Sequence, residues 1–289
     1  MIQNFLSSWE LFHNTYLAGW LIGLALSLVG VLVVARDQIF IGAAVSQASA
    51  LGVALAMFAA SVIGGAWGAR LDSDSALSGM AVLFSVTAAL LTSFAGKSAR
   101  ESHEAITGWV FLVSASVSVL VVSHSPHGLE EIQHLISSSI IGATDADVWL
   151  FAALAAATIL LLAKFNRRIL LLATDPVMAD AVGMRTLWWD AAIAAWLGLC
   201  IGLSIRVSGM LFTFGFLVLP ALVAKNLCRE IRPMFVVAPV VALTAAVAGF
   251  VLANEYDFPP GQMSVSLLAG LLPLAWLIRA SVKLLVRKP

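Results

Sequence analysis

Nine apolar runs, near residues 17–35, 41–66, 78–95, 106–123, 148–163, 187–205, 208–224, 234–253 and 264–282, follow one another with only short polar connections between them. Each is about long enough to cross the hydrocarbon core of a bilayer as a helix, which takes roughly 20 residues. Inside lipid every backbone N–H and C=O must find its partner within the chain, so runs of this length are restricted to helices. Hydrophobic residues fill 61% of the 289 positions, charged residues fill 11%, and the mean hydropathy is +0.99, which excludes a soluble globular domain. The expectation is an all-α polytopic membrane helix bundle of about nine transmembrane spans, eight being possible, in a single integral-membrane domain over residues 1–289.

Charge tests that count. With the N-terminus outside and nine crossings, Arg36, Lys97, Arg100, Lys164, Arg167, Arg168, Arg185, Lys225, Arg229, Arg232, Arg279, Lys283, Arg287 and Lys288 all fall in the cytoplasm. Only Arg70 and Arg206 stay outside, a fourteen-to-two division that a wrong topology does not readily produce. The region 187–224 is tightest, because Arg206-Val-Ser-Gly209 leaves room only for a very short external hairpin or a broken helix. The segment 1–16 has no Lys or Arg and no small-residue cleavage pattern, so the first span is expected to serve as its own uncleaved signal. Cys200 falls in a span and Cys228 on the cytoplasmic side, so no disulfide framework is expected.

One polar segment stands out between two apolar runs. In Ala173-Thr-Asp175-Pro176-Val-Met-Ala179-Asp-Ala-Val-Gly183-Met-Arg185, Asp175 is placed to cap a short helix, Pro176 to occupy its first turn and Gly183 to end it. Flanking Lys164, Arg167, Arg168 and Arg185 put the segment in the cytoplasm. A capped helix lying along the membrane there offers a soluble partner something to grip; the plainer alternative is a structured loop between two spans.

Several chemistries fail on the residues. Gly96-Lys97-Ser98 supplies the end of a phosphate-binding loop, but Leu91 stands where its first glycine belongs. His103-Glu104 is followed by Thr107 rather than by the second histidine of a metalloprotease helix, and there is no Gly-x-Ser-x-Gly elbow. No catalytic residue and no tightly held cofactor is expected of this chain, nor a nucleic-acid partner. The external stretch 123–147 carries three histidines and four acids without a Lys or Arg. If a helix starts after Pro126, His127, Glu131 and His134 share a face at spacings suited to a divalent metal; otherwise they line a solvated mouth. Nine of the sixteen acids lie outside in this topology, a negative field that draws cations to the entrance.

Taken together, the segments resemble the permease subunits of the ABC importers for zinc, manganese and iron, the ABC-3 family, over nearly the whole chain. The residues that carry the resemblance are Asp175-Pro176-x-x-Ala179-x-x-x-Gly183, then Ile41-Gly42-x-Ala44-x-Ser46-x-Ala48-Ser49 with Gly52-Val53, then Leu219-Pro220-Ala221, and Asp257-Phe258-Pro259-Pro260-Gly261. The resemblance implies a dimer of permease subunits, identical or different, in the bacterial cytoplasmic membrane. It further implies two cytoplasmic ATPases that use ATP, an external substrate-binding protein, and a divalent metal as substrate. Asp175, Pro176, Ala179 and Gly183 then form the coupling helix, while Ala43, Ser46, Gln47 and Pro220 fall on the transport pathway. The family usually carries Asp after Ile-Gly and His four residues later, one turn apart. Here those positions hold Ala43 and Gln47, which are no ligand and a poor one for a transition metal.

Three accounts of that loss stand open: a second, different permease subunit carries the ligands, other residues such as the 127–134 cluster replace them, or the cargo is not a transition metal. A permease of the cobalamin and siderophore importers is the nearest alternative, with a wider pathway. An ATP-independent carrier or channel would leave the 175–183 segment without a purpose, and such carriers place ionisable groups in mid-span, where this chain has almost none. A purely structural membrane subunit would bind no ATPase.

The topology carries a direct test by cysteine-accessibility labelling. Positions 3, 72, 127 and 254 (Gln3, Asp72, His127, Asn254) should label from outside, and 36, 97, 175 and 229 (Arg36, Lys97, Asp175, Arg229) from the cytoplasm. Residues 97 and 175 found on opposite faces would defeat the nine-span arrangement.

Overall fold

The computed structural model describes residues 8–71, 73–98, 102–123 and 140–286. His127, Glu131 and His134, like the labelling positions Gln3 and Asp72, lie outside the described residues. The described chain is helical: α1 (Trp9–Ala35), α2 (Phe40–Ile63), α3 (Gly65–Leu71), α4 (Asp74–Ser98), α5 (His103–Val122), a 3-10 turn at Ile140–Gly142, α6 (Asp145–Thr174), α7 (Pro176–Ala181), α8 (Thr186–Leu227), α9 (Ile231–Tyr256) and α10 (Pro260–Val286). Eight of these helices are long and apolar enough to cross a membrane.

The difference between eight helices and nine apolar runs lies in α8, whose 42 residues would make a rod of about 63 Å, roughly twice the thickness of a bilayer core. Gly209 interrupts it with φ +76° and ψ 168°, a conformation that an L side chain resists, so the two apolar runs predicted there are joined by a broken helix rather than a loop. Two other predicted boundaries are corrected. The run 41–66 ends as a helix at Ile63, because Gly64 and Gly65 both take positive φ and start the separate short helix α3. The run 148–163 continues to Thr174 past a kink at Phe165 (φ −108°, ψ 15°), because Ile169, Leu172 and Ala173 give the extension a buried face.

The chain folds as two compact units. The first comprises residues 1–37, 139–174 and 215–289. Its centre is α1, which is apolar on every face and packs against both α6 and α9. Ile22, Leu26 and Val31 are fully buried there, with Phe250 of α9 and Phe216 and Leu217 of α8. At Gly30 the helix comes so close to α8 that a Cβ would overlap the Leu217 carbonyl. Opposite, α9 and α10 are joined by a short turn in which Asp257 adopts the left-handed region (φ 55°), the Phe258 amide donates to the Ala253 carbonyl at 3.0 Å, and Pro260 opens the next helix. This accounts for the Asp257-Phe258-Pro259-Pro260-Gly261 run.

The second unit comprises residues 38–138 and 175–214. Here α2 packs on α4 and α5. The buried Ser85 hydroxyl of α4 donates to the Gly198 carbonyl of α8 at 2.6 Å. Arg206, the basic residue predicted to face outward from a span end, is held by α4: its guanidinium donates to the Asp74 carbonyl (2.6 Å) and the Ser78 hydroxyl (2.8 Å), with the Asp74 carboxylate at 3.6 Å. Both cysteines are free, Cys200 buried and Cys228 half-buried, and burial pushes the Cys228 thiol up.

Of the described glycines of the first unit, Gly30 has the closest approach to a neighbour, and this predicts a sharp asymmetry. Gly30→Val should destabilise the protein by about 3 kcal/mol or more, since the obstacle is backbone and cannot rotate away. Gly79→Ala, where a Cβ meets nothing within 4 Å, should be neutral or stabilising. Thermal unfolding of the purified variants measures both, and equal stability of Gly30→Val and parent would refute the packing.

Candidate coupling helix and transport pathway

The segment 173–185 folds as its residues dictate. The Asp175 carboxylate accepts the Met178 amide at 2.9 Å, Pro176 occupies the first turn, where a missing N–H costs nothing, and the helix runs Pro176–Ala181. Its end is a Schellman motif: the Gly183 amide donates to the Asp180 carbonyl at 2.9 Å and the Met184 amide to the Ala179 carbonyl at 3.1 Å, with Gly183 at φ +79°. No atom lies within 4 Å of where a Gly183 Cβ would stand, so the demand for glycine there comes from the backbone and not from crowding. Ala179 is fully buried and anchors the helix, while Val177 (79% exposed), Met178 (52%) and Val182 (62%) are presented outward. Two caps and one anchor therefore hold a short helix that leaves Val177 mostly and Met178 about half exposed. Val177 and Met178 on the helix, with Val182 at its C-cap, leave exposed apolar surface that a partner can cover.

On α2, residues 41–54 are buried except at Ala43 and Gln47, which are half-buried and lie one turn apart on one face. The Gln47 side-chain amide donates to the Met210 sulfur at 3.3 Å, a weak acceptor one residue past the Gly209 break. Close by along α8, the hydroxyls of Ser208 and Thr213 lie 3.2 Å apart and Ser208 donates to the Ser204 carbonyl, so polar groups cluster on both sides of the break. Ser46 does not share the half-buried face: it is fully buried, as is Ser49, and neither hydroxyl has a hydrogen-bond partner among the described residues. Pro220 is buried in the first unit, within the part of α8 that follows the break. The Gly209 break itself was half legible, since Arg206-Val-Ser-Gly209 interrupts the apolar pattern; its meeting with Gln47, 163 positions apart from Met210, was not.

Among the described residues, no three of His, Cys, Asp and Glu are grouped to hold a metal ion. The Ala43 and Gln47 face offers an amide and a thioether in place of a carboxylate and an imidazole. An amide and a thioether are poor ligands for a divalent transition metal.

Comparison with known proteins identifies the family of the chain. The sequence pattern of the ABC 3 transport family matches residues 8–279. The manganese transport system membrane protein MntC of Halalkalibacterium halodurans is 22% identical over 98% of this chain and 92% of its own length. The manganese import system permease protein ScaB of Streptococcus gordonii is 22% identical over 100% and 99%. A probable iron transport system membrane protein of Haemophilus influenzae is 24% identical over 70% and 71%. Among solved structures, PsaBC from Streptococcus pneumoniae in complex with Fab superposes with a TM-score of 0.78 at 20% identity, over 96% of this chain and 95% of that one. A putative metal-chelate type ABC transporter in an inward-facing conformation does so at 0.70 and 17% identity, over 92% and 87%.

Proposed function

Because the chain belongs to the ABC 3 transport family, we propose that it is the transmembrane permease subunit of an importer for a divalent transition metal ion, driven by a separate ATPase. The observation that carries the reading is the doubly capped helix Pro176–Ala181, a rigid element with exposed apolar side chains in a family of ABC permeases. ATP binding would close an ATPase pair that grips these helices and rocks the spans, opening the pathway alternately to each side. This chain contributes no catalytic group. Its partners are the cytoplasmic ATPases, a second permease subunit and an external binding protein, and its orientation in the cytoplasmic membrane follows the charge asymmetry, N-terminus outside and C-terminus inside. The metal assignment is supported by relatives whose names specify manganese or iron transport.

A second reading, passage of a chelated metal through a wider pathway, is favoured by Ala43 and Gln47. A chelate brings its own ligands and needs none from the wall. Proteoliposomes holding the permease with its cognate ATPase and binding protein should accumulate radioactive manganese or zinc only with ATP inside; ATP-driven uptake of the chelate alone would select the second reading, and no ATP-driven uptake of either would reject both.

Two variants test the coupling helix. Gly183→Val strains a left-handed position by about 1–2 kcal/mol, and Asp175→Lys removes the cap and reverses its charge. Both should insert normally, yet lose most ATP-driven uptake and ATPase co-purification. Unchanged uptake with normal ATPase binding in both would reject the coupling role.

The pathway has its own test. Ala43→Asp combined with Gln47→His puts a carboxylate and an imidazole one turn apart on the half-buried face of α2, so the purified double variant should retain zinc or manganese that the parent releases. Equal retention by a correctly folded double variant would mean that these side chains do not face the path.

A further inference from the structure

In the first unit, α6 and α9 both pack on α1, and a seam stays open between them with Leu28 of α1 at its floor. The seam changes character along its length. Toward the ends of the two spans it is an open recess of about 630 Å3 lined by Lys164, Arg167 and Arg168 of α6 and Arg232 of α9. No carboxylate lines it. The recess shares Ala163, Asn166 and Arg232 with a groove of about 260 Å3 whose walls are apolar, including Ile159, Leu162, Phe235 and Val236. The kink at Phe165 shapes the junction, and the Lys164 ammonium lies 5.5 Å from the Phe165 ring centroid. Because α9 begins at Ile231 and the long apolar stretch of α6 ends before Lys164, all four cations lie at one end of their spans, where lipid headgroups reside.

Another basic recess in the same unit shows what is unusual. Lys225, Arg229 and Arg279 line it together with two acids, Asp37 and Glu230, and Lys225 donates to the Asp37 carboxylate at 2.6 Å. That recess has two acids in its lining, whereas the lining at 163–168 and 232 gathers Lys164, Arg167 and Arg232 beside an apolar groove, with Arg168 engaged in an interaction of its own. A cationic cup continuous with a hydrocarbon trough matches a ligand that is anionic at one end and a hydrocarbon chain at the other.

We propose that the seam between α6 and α9 is a binding site for an anionic phospholipid, its phosphate held by Lys164, Arg167 and Arg232 and an acyl chain along Ile159, Leu162, Phe235 and Val236. Guanidinium groups suit the phosphate because their planar donors pair with two oxygens at once, and the surrounding low dielectric strengthens the attraction. Lipid in the seam would brace α6 directly upstream of the helix Pro176–Ala181.

The test is lipid retention by the full-length protein, read by native mass spectrometry after purification in mild detergent and by titration with phosphatidylglycerol or phosphatidylcholine of the same chains. Phosphatidylglycerol should be retained and should raise the melting temperature, phosphatidylcholine much less. Arg167→Gln with Arg232→Gln, both on exposed side chains, should weaken phosphatidylglycerol at least about tenfold. Val236→Asn should weaken it as well while leaving every cation in place, and Lys225→Gln in the other recess should not. Three outcomes overturn the site: equal retention of the two lipids, unchanged phosphatidylglycerol affinity in the arginine pair or in Val236→Asn, or competition by inorganic phosphate as effective as by the lipid. Loss of ATPase co-purification in the arginine pair with lipid binding intact would assign the recess to a protein surface and likewise overturn the proposal. Melting profiles in the absence of added lipid identify any variant that fails to fold, and the remaining one then decides.

Discussion

The requirement that backbone N–H and C=O groups be paired before they enter hydrocarbon governs this molecule, and it makes every departure from regular helix informative. Such departures are few among the described residues. Gly209 breaks α8, Phe165 kinks α6, and Gly64 with Gly65 ends α2. The Gly209 break lies beside polar groups that suit freed backbone: the Ser208 and Thr213 hydroxyls, and the Gln47 amide one residue away on Met210. An uninterrupted 42-residue helix would overrun the bilayer, so the break is a consequence of length as much as of glycine.

Small residues set how closely the helices approach. Without a hydrophobic drive between helices in lipid, packing depends on close van der Waals contact, and the positions that permit it become structural anchors. Gly30 against the Leu217 carbonyl plays that part in the first unit, and the Ser85 hydroxyl on the Gly198 carbonyl in the second. Charge is handled by the same economy. Arg206 is satisfied by the first turn of α4, and Lys225 by Asp37, so each costs little where it stands. Lys164, Arg167 and Arg232 of the α6 and α9 recess are instead gathered where no carboxylate lines the recess, and that contrast singles out the seam.

The coupling reading and the pathway reading rest on different kinds of physics. Rigidity is the property of the helix Pro176–Ala181, with a carboxylate cap at one end, a Schellman turn at the other and a buried alanine between them. Permissiveness is the property of the Ala43 and Gln47 face, where an amide bonded to a thioether can exchange partners at small cost.

Local signals were legible without coordinates. The apolar runs specified helices and a membrane because hydrocarbon admits no other single-segment solution, and Asp175, Pro176 and Gly183 specified their short helix because capping and left-handed φ are decided by adjacent residues. The run from Asp257 to Gly261 was noted only as a stretch of family resemblance, and its turn is a finding of the structure. Helix ends were read less well: 41–66 was taken past Gly64 and 148–163 stopped short of Thr174, since hydropathy reports burial in lipid or protein but not which of the two. Ser46 and Gln47 are adjacent in the chain and both polar, and only the packing of α2 on α4 and α5 decides that one is wholly enclosed while the other reaches Met210. The basic residues around 164–168 served the sequence only as a topological signal. Their convergence with Arg232 over an apolar groove depends on α6 and α9 flanking α1, a relation between segments more than sixty residues apart that no local pattern encodes.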